Sequence, residues 1–333
     1  MENYSIKDVA KLAGVSIATV SRVLNKKGKY SKKTEEKVLK VVNDIGYQVN
    51  YNAKSLRTKV SHTIGILVPD ISNYFFANLV QEIEKSFFEN SYSTIICNTD
   101  RSLKKEKTYL QILENKNIDA LVAISGNIDK GFAFSGKSKD IPYICIDREP
   151  ANLDESTYIS SDHFSGSYQA SSHLLDKGCK QIAFFGPKKL SSANKRRFDG
   201  FLKALEDRNI EFCKNKNHLQ ISDDKALENQ VINFLKSNPK LDGIFAINDG
   251  LAINLIEILK NNNIQIPEDI SLVGFDDIPT CQYTSPKLTS IKQDIKTIAD
   301  ETVKNILDAL NNSAYKKKTI LIPTQLIERE STK

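Results

Sequence analysis

Two groups of residues in this 333-residue chain have the types and spacing to do chemistry. The first is the run Ser16-Ile17-Ala18-Thr19-Val20-Ser21-Arg22-Val23-Leu24-Asn25. At helical spacing Val20, Val23 and Leu24 form a buried stripe at i, i+3, i+4, which leaves Ile17, Ala18, Ser21, Arg22 and Asn25 on the other face. That face offers one guanidinium, small hydroxyls and two small apolar groups, with no acid. Such a set can donate to the acceptor edge of a guanine and touch thymine methyls. The second group is spread along the chain: Asn73, Phe75, Phe76, Arg148, Arg197, Asn248, Asp249 and Asp276. Each lies in a segment that follows a short apolar run. Aromatic faces pack on C–H-rich rings, and Arg and Asp bracket adjacent hydroxyls by donating and accepting in planar pairs. That is the chemistry of sugar capture.

The elements that position the first group are helices. Ser16 is a good N-cap. Before it, Ile6–Ala13 carries Val9, Leu12 and Ala13 on one face, and Gly14 supplies a turn. Helix, glycine turn and capped second helix is the pattern that lays its second helix in the DNA major groove, although spacing alone fits two ordinary core helices equally well. Residues 31–45 read as a third helix, capped by Ser31, with Val38, Val41, Val42 and Ile45 on one face and Gly46 at its end. Residues 50–57 allow at most two helical turns, too few to be stable alone, so the residues by themselves describe a flexible linker continuing through residue 62.

The second group sits on alternating strands and helices. Ile64–Val68, Thr94–Cys97, Ala120–Ile124, Tyr143–Ile146, Ile182–Phe185, Ile244–Ile247 and Leu272–Phe275 read as buried parallel strands. Segments 74–89, 103–116, 164–177, 194–209, 224–237, 249–262 and 294–311 read as helices. The alternation predicts an α/β core of doubly wound parallel sheets, in which ligands bind beyond the carboxyl ends of the strands. One large sheet would satisfy the pattern as well. Each strand-end residue also has a purely structural reading: Phe75 or Phe76 in the core, Asn248 and Asp249 as helix caps, Arg148 paired with Asp147.

Charge separates the two regions. The net charge is +6, yet residues 1–60 hold 13 Lys and Arg against 5 Asp and Glu, and the remainder holds 34 against 36. The basic excess belongs to the N-terminal module, which suits a polyanion. Five cysteines, none in a CxxC pair, fit reduced buried thiols better than a disulfide framework or a metal site. No apolar N-terminal segment suggests export, and no run approaches the roughly 18 residues needed to span a bilayer. A cytoplasmic protein without membrane contact is expected. There is no Walker A, GxGxxG, GxSxG or HExxH motif, so no catalytic residues, metal or cofactor are expected.

The wording of residues 6–25, Ile-Lys-Asp-Val-Ala-Lys-Leu-Ala-Gly-Val-Ser-Ile-Ala-Thr-Val-Ser-Arg-Val-Leu-Asn, closely resembles the headpiece of the lac/purine repressor family of bacterial transcription regulators. The likeness continues through Ser31, Thr34, Gly46-Tyr47, Asn50 and Ala53-Lys-Ser-Leu-Arg57. It implies a helix-turn-helix headpiece over 1–49 and a hinge helix with linker over 50–62. It also implies a two-lobed periplasmic-binding-protein-like core over 63–333, with one lobe near 63–160 plus 293–321 and the other near 161–292 plus 322–333. Ser16, Ile17, Ala18, Thr19, Ser21, Arg22, Asn25, Ser31, Tyr47, Asn50, Ala53 and Leu56 would meet double-stranded operator DNA. Leu56 would wedge into a central C-G step of a near-palindromic site. Phe75, Phe76, Arg197, Asp249 and Asp276 match effector-facing positions of the family, and Arg148 resembles a sugar-binding arginine of periplasmic ribose-binding proteins. One departure stands out: where many relatives read Asp-Asn-Phe-x-Gly-Gly, this chain reads Asp162-His-Phe-Ser-Gly-Ser167, so His163 and Ser165 are not expected to be ligands.

The resulting expectation is a homodimeric repressor of carbohydrate-utilisation genes, released by a small sugar. With no leucine heptads at its end, it should not assemble further into a tetramer. Two relatives of the same design remain as alternatives: a catabolite-control regulator acting through a phosphorylated carrier protein, and a purine-type repressor that needs a corepressor. A periplasmic transport protein would share the core but lack residues 1–60.

Overall fold

A computed structural model describes residues 4–26, 28–47, 60–125, 141–150, 156–222, 226–312 and 314–333. Chain contacts divide it into two units, Met1–Ser61 and His62–Lys333. The hinge positions Asn50, Ala53 and Leu56 lie outside the described residues.

The first unit contains α1 (Ile6–Ala13), α2 (Ile17–Leu24) and α3 (Lys32–Asp44). Its core is Val9, Ala10, Ala13, Val20, Val23 and Val38, joined by half-buried Leu24, Val41, Val42, Ile45 and Tyr47. Gly14, at φ 60, ends α1 in the left-handed region that a residue without a Cβ adopts freely.

The second unit is two six-stranded sheets with helices on their faces. Its elements are β1 (Thr63–Val68), α4 (Tyr74–Glu89), β2 (Ser93–Asn98), α5 (Leu103–Asn115), β3 (Ala120–Ile124), β4 (Tyr143–Ile146) and β5 (Thr157–Ser161). Then come α6 (His163–Asp176), β6 (Ile182–Pro187), α7 (Ser192–Asp207), α8 (Lys214–Asn217), β7 (His218–Ile221), α9 (Leu227–Ser237), β8 (Gly243–Ala246) and α10 (Asp249–Asn261). The chain closes with β9 (Ser271–Asp276), a 3-10 turn (Pro279–Gln282), β10 (Thr289–Gln293), α11 (Ile295–Asn311), β11 (Thr319–Ile322) and β12 (Thr324–Ile327).

Strand order is β11-β5-β4-β3-β1-β2 in one sheet and β12-β10-β9-β8-β6-β7 in the other. The chain passes between the sheets three times: from β5 into α6, from β10 into α11, and from β11 into β12. Pairing is parallel throughout, except that the edge strand β12 runs antiparallel to β10. Among the described residues, no helix is long and apolar enough to cross a membrane.

Five strands escape a hydropathy reading: β5, β7, β10, β11 and β12. Two of them are polar and yet buried. In β5 the Thr157 hydroxyl pairs with the Tyr315 hydroxyl at 2.7 Å and the Ser160 hydroxyl donates to Asp147 at 2.8 Å. In β10 the Ser290 hydroxyl donates to Asp249 at 2.5 Å, and the Thr289 amide donates to the Ser331 hydroxyl at 2.8 Å. Side-chain hydrogen bonds, rather than apolar residues, make these strands compatible with burial. Four of the cysteines are buried as expected, but Cys213 is exposed.

Candidate functional site

In the headpiece, Ser16 caps α2 by accepting from the Thr19 amide at 3.1 Å, and its hydroxyl also pairs with that of Thr19 at 2.9 Å. The cap leaves Ile17, Ala18, Arg22 and Asn25 exposed, Thr19 and Ser21 half-buried, and Val20 and Val23 inside. Asn25 folds back to donate to the Ser21 carbonyl at 2.7 Å. The exposed surface is thus one arginine flanked by small groups, narrow enough for a major groove. Ser31 accepts from the Thr34 amide at 3.2 Å as the cap of α3, and Tyr47 packs on the headpiece core.

In the second unit, a buried polar array joins the two sheets. Its centre is Arg197, on α7. Helix α7 lies close against α6: a Cβ on Gly200 would meet the Phe164 carbonyl oxygen at 2.3 Å, so only glycine permits this approach. The Ser167 hydroxyl of α6 donates to the Arg197 carbonyl and locks the pair. The Arg197 side chain then spreads three ways. Nη1 donates to the Ile247 carbonyl at 2.5 Å, Nη2 to Asp276 at 3.3 Å, and Nε to His163 Nδ1 at 3.3 Å. His163 Nε2 in turn meets Asp147 at 2.9 Å. Asp276 also accepts from Gln293 Nε2 at 2.7 Å. Gln293 Oε1 is buried with no hydrogen-bond partner among the described residues, an acceptor left over for a donor.

The electrostatics follow from burial. Desolvation lowers the Arg197 value, with Asp276, Asp147 and Asp249 opposing. Desolvation pushes the Asp276 carboxyl up to about 7, with Arg197 opposing and Asp249 adding. Asp249 is raised by the same burial. Burial alone would raise Asp147 too, but His163, the Ser160 hydroxyl and Arg197 outweigh it and hold that carboxyl low. Both strand-end acids have positive φ, 51 at Asp147 and 118 at Asp276. The second value is costly for a residue with a Cβ, and such strain concentrates at functional sites.

The sequence-stated residues are distributed unevenly around this array. Arg197 and Asp276 are at its heart. Arg148 does not pair with Asp147: its guanidinium makes two parallel hydrogen bonds to Glu106 of α5, at 2.9 and 3.0 Å. Asp249 is fully buried and both its oxygens are engaged, by the Ser290 hydroxyl and by the Ile278 amide at 2.9 Å. A Cβ on Gly274 would lie 2.2 Å from one of those oxygens, so β9 leaves a gap shaped to this carboxylate. Asn248 caps α10, accepting from the Leu251 amide at 2.9 Å. Asn73 caps α4, accepting from the Phe75 amide at 3.0 Å and the Phe76 amide at 3.4 Å. Phe75 is in the core and Phe76 is half-buried against it, with ring centroids 5.5 Å apart. These three lie beyond the carboxyl end of β1, on the same edge of their sheet as Asp147.

Sequence reasoning did not reach Ser160, Gln293 and Glu106, named Asp147 only as a partner for Arg148, and set His163 aside. Asp147 carried a signal in its place directly after β4. Gln293 and Ser160 sit in strands that hydropathy hides. Nothing local marks Glu106, whose partner is far along the chain.

A two-sheet core of this topology, with a buried polar array at its crossovers and a separate helix-turn-helix module, defines a ligand-binding protein joined to a DNA reader. Residues 5–50 match the model of bacterial regulatory proteins, lacI family, and residues 171–332 match a periplasmic binding protein-like domain. The HTH-type transcriptional regulator RegA of Clostridium saccharobutylicum is 34% identical over 330 residues, spanning 98% of this chain and 99% of that protein. The ribose operon repressor of Halalkalibacterium halodurans is 35% identical over 334 residues, spanning 99% and 97%. A crystal structure of a LacI family regulator from Enterococcus faecium with bound ribose superposes with a TM-score of 0.70 at 30% identity, covering 81% of this chain and 98% of that one. The chain belongs to the lacI family of bacterial regulatory proteins. It is a DNA-binding transcriptional regulator, and the named relatives are regulators rather than enzymes.

Proposed function

We propose that this protein is a cytoplasmic repressor of carbohydrate-utilisation genes whose grip on its operator is relaxed by a small uncharged sugar, a pentose such as ribose foremost. The observation that carries this reading is the Arg197–Asp276–Gln293 cluster. It gathers a planar donor, a carboxyl and an unsatisfied amide oxygen at the crossovers, stacked on Phe275. Adjacent sugar hydroxyls donate to one group and accept from the next, which is what this cluster supplies. Among the described residues Arg148 meets Glu106 and Arg197 faces several acids, which favours an uncharged ligand over a phosphate. The kinship with a ribose operon repressor and with a ribose-bound regulator points the same way.

Reading two half-sites requires two headpieces, so the active species is a homodimer on a near-palindromic operator. Ligand held between lobes favours one lobe orientation, and can shift the equilibrium only by its differential affinity for the two. Residues 50–57 of each subunit would lose their marginal helix, and Leu56 its place at the central C-G step, when sugar binds. The coupling expected is about 1–3 kcal/mol. Calorimetric titration of the full chain with ribose, alone and on an operator duplex, tests this: reciprocity requires weaker sugar binding on DNA. Equal affinities end the induction model, and tighter binding on DNA makes ribose a corepressor.

A further inference from the structure

His163 stands where the two lobes meet, between groups of opposite charge. From the first lobe, Asp147 at the end of β4 meets Nε2 at 2.9 Å and also accepts from Ser160. From the second lobe, Arg197 on α7 donates Nε–H to Nδ1 at 3.3 Å. Arginine has only donors, so Nδ1 must be a bare acceptor and the ring proton must sit on Nε2, facing the carboxylate. Phe275 of β9 packs on the ring with centroids 5.6 Å apart. Asp162, which caps its own helix, also acts on the ring, and Asp276 and Asp249 act on Arg197. A cavity of about 220 Å³ at the same junction is lined by Glu149, Tyr158, Ser160, His163 and Arg196, among others.

We propose that His163 is the positioning residue of the cleft: as a neutral imidazole protonated on Nε2, it sets Asp147 of one lobe and Arg197 of the other at a fixed spacing, and its protonation takes that arrangement apart. The reason is a reversal of hydrogen-bond roles. A second proton on Nδ1 would point a donor at the Arg197 Nε–H donor and bring two cations into contact. Burial, with Arg197 adding and Asp147 opposing, holds the ring below the usual imidazole range, so the arrangement is whole at neutral pH and fails in acid.

Because this role rests on the cleft being the sugar site, two measurements are needed. The first uses no sugar. Ring nitrogen-15 shifts of His163 in the full-length protein, assigned by difference from His163→Asn, should show a proton on Nε2 and none on Nδ1 at about pH 7.5, with titration below the free imidazole value of about 6.5. A charged ring or an Nδ1–H tautomer at that pH overturns the proposal. The second is ribose affinity by calorimetry between about pH 8 and about pH 5, on wild type and His163→Asn. Asparagine keeps one acceptor and one donor side but does not titrate. Wild type should lose more affinity than the variant as the pH falls, each unit of differential titration between free and bound protein being worth about tenfold. The Asp276 titration is common to both proteins and cancels in the ratio. Parallel profiles overturn the proposal. If neither protein binds ribose, it is the sugar reading that falls, and the ring shifts still decide the state of His163.

Discussion

The guanidinium carbon of Arg197 lies 3.7 Å from the centroid of the Phe275 ring, so a cation is held against an aromatic face in the buried polar array between the two sheets. Stacking uses the face of the guanidinium and leaves its edge for hydrogen bonds. That edge is where Ile247, Asp276 and His163 are met. Charge alone does not explain the choice of arginine; planarity does.

Arg197→Lys keeps the charge and loses the plane. Ribose affinity should fall by about 10- to 100-fold, the scale of a lost charge-assisted hydrogen bond of about 1.5–3 kcal/mol. Calorimetry on wild type and variant measures it, and a variant that binds ribose undiminished would show that the cleft needs only a positive charge there.

Asp276→Asn should separate stability from binding. A carboxyl raised to about 7 in the folded protein contributes stability that is complete below its unfolded value of about 4 and lost as pH rises through 7. The amide removes that loss. Thermal unfolding of the variant should therefore gain on wild type from about pH 5 to about pH 8, while ribose binding is lost. Parallel unfolding curves over this window would mean that Asp276 is ionised throughout.

Glu106→Gln takes away the carboxylate charge that buried Arg148 meets. The two side chains are 12% and 6% exposed, and removing one partner of such a pair costs about 3–5 kcal/mol. Denaturant unfolding of the variant should show the loss, and Glu106→Leu combined with Arg148→Met should recover much of it. If the double variant is no more stable than the single one, the pair is not what makes Glu106 matter.

In the headpiece, Arg22→Ala should cost about 1–3 kcal/mol of operator binding and relax preference at one base pair. The arginine stem passes so close to Gly28 that a Cβ there would sit 3.2 Å from Arg22 Cδ, at a φ of 87. Binding-site selection is the measurement, and an unchanged motif would remove Arg22 from the reading face.

Leu56→Ala should weaken specific operator binding much more than binding to random duplex, because only a kinked complex uses a wedge. Gel shifts on operator and scrambled DNA distinguish this from a general loss of affinity, which would fall equally on both.

The sequence by itself determined the helices of the headpiece, the strand–helix alternation of the core, and the place of Asp276 at a strand end; Arg197 was marked by the family resemblance. These are local matters: a cap oxygen at Ser16, apolar residues at i, i+3 and i+4, and a polar residue just past an apolar run each act within a few positions. Strands β5 and β10 were not legible, because their Thr and Ser residues are buried on hydrogen bonds to Tyr315, Asp147, Asp249 and Ser331 that no periodicity encodes. Only the tertiary structure decided which acid serves which base. Arg148 sits beside Asp147 in the chain yet pairs with Glu106, 42 positions earlier, because the turn at the end of β4 sends the neighbouring side chains to different partners and α5 brings its first turn to meet the guanidinium. Asp147, with its φ of 51, meets His163 across the lobe junction instead. A histidine that looks like a stray substitution in the chain becomes the joint between two lobes, since its ring nitrogens acquire their roles only when a carboxylate from one sheet and an arginine from the other arrive on either side of it.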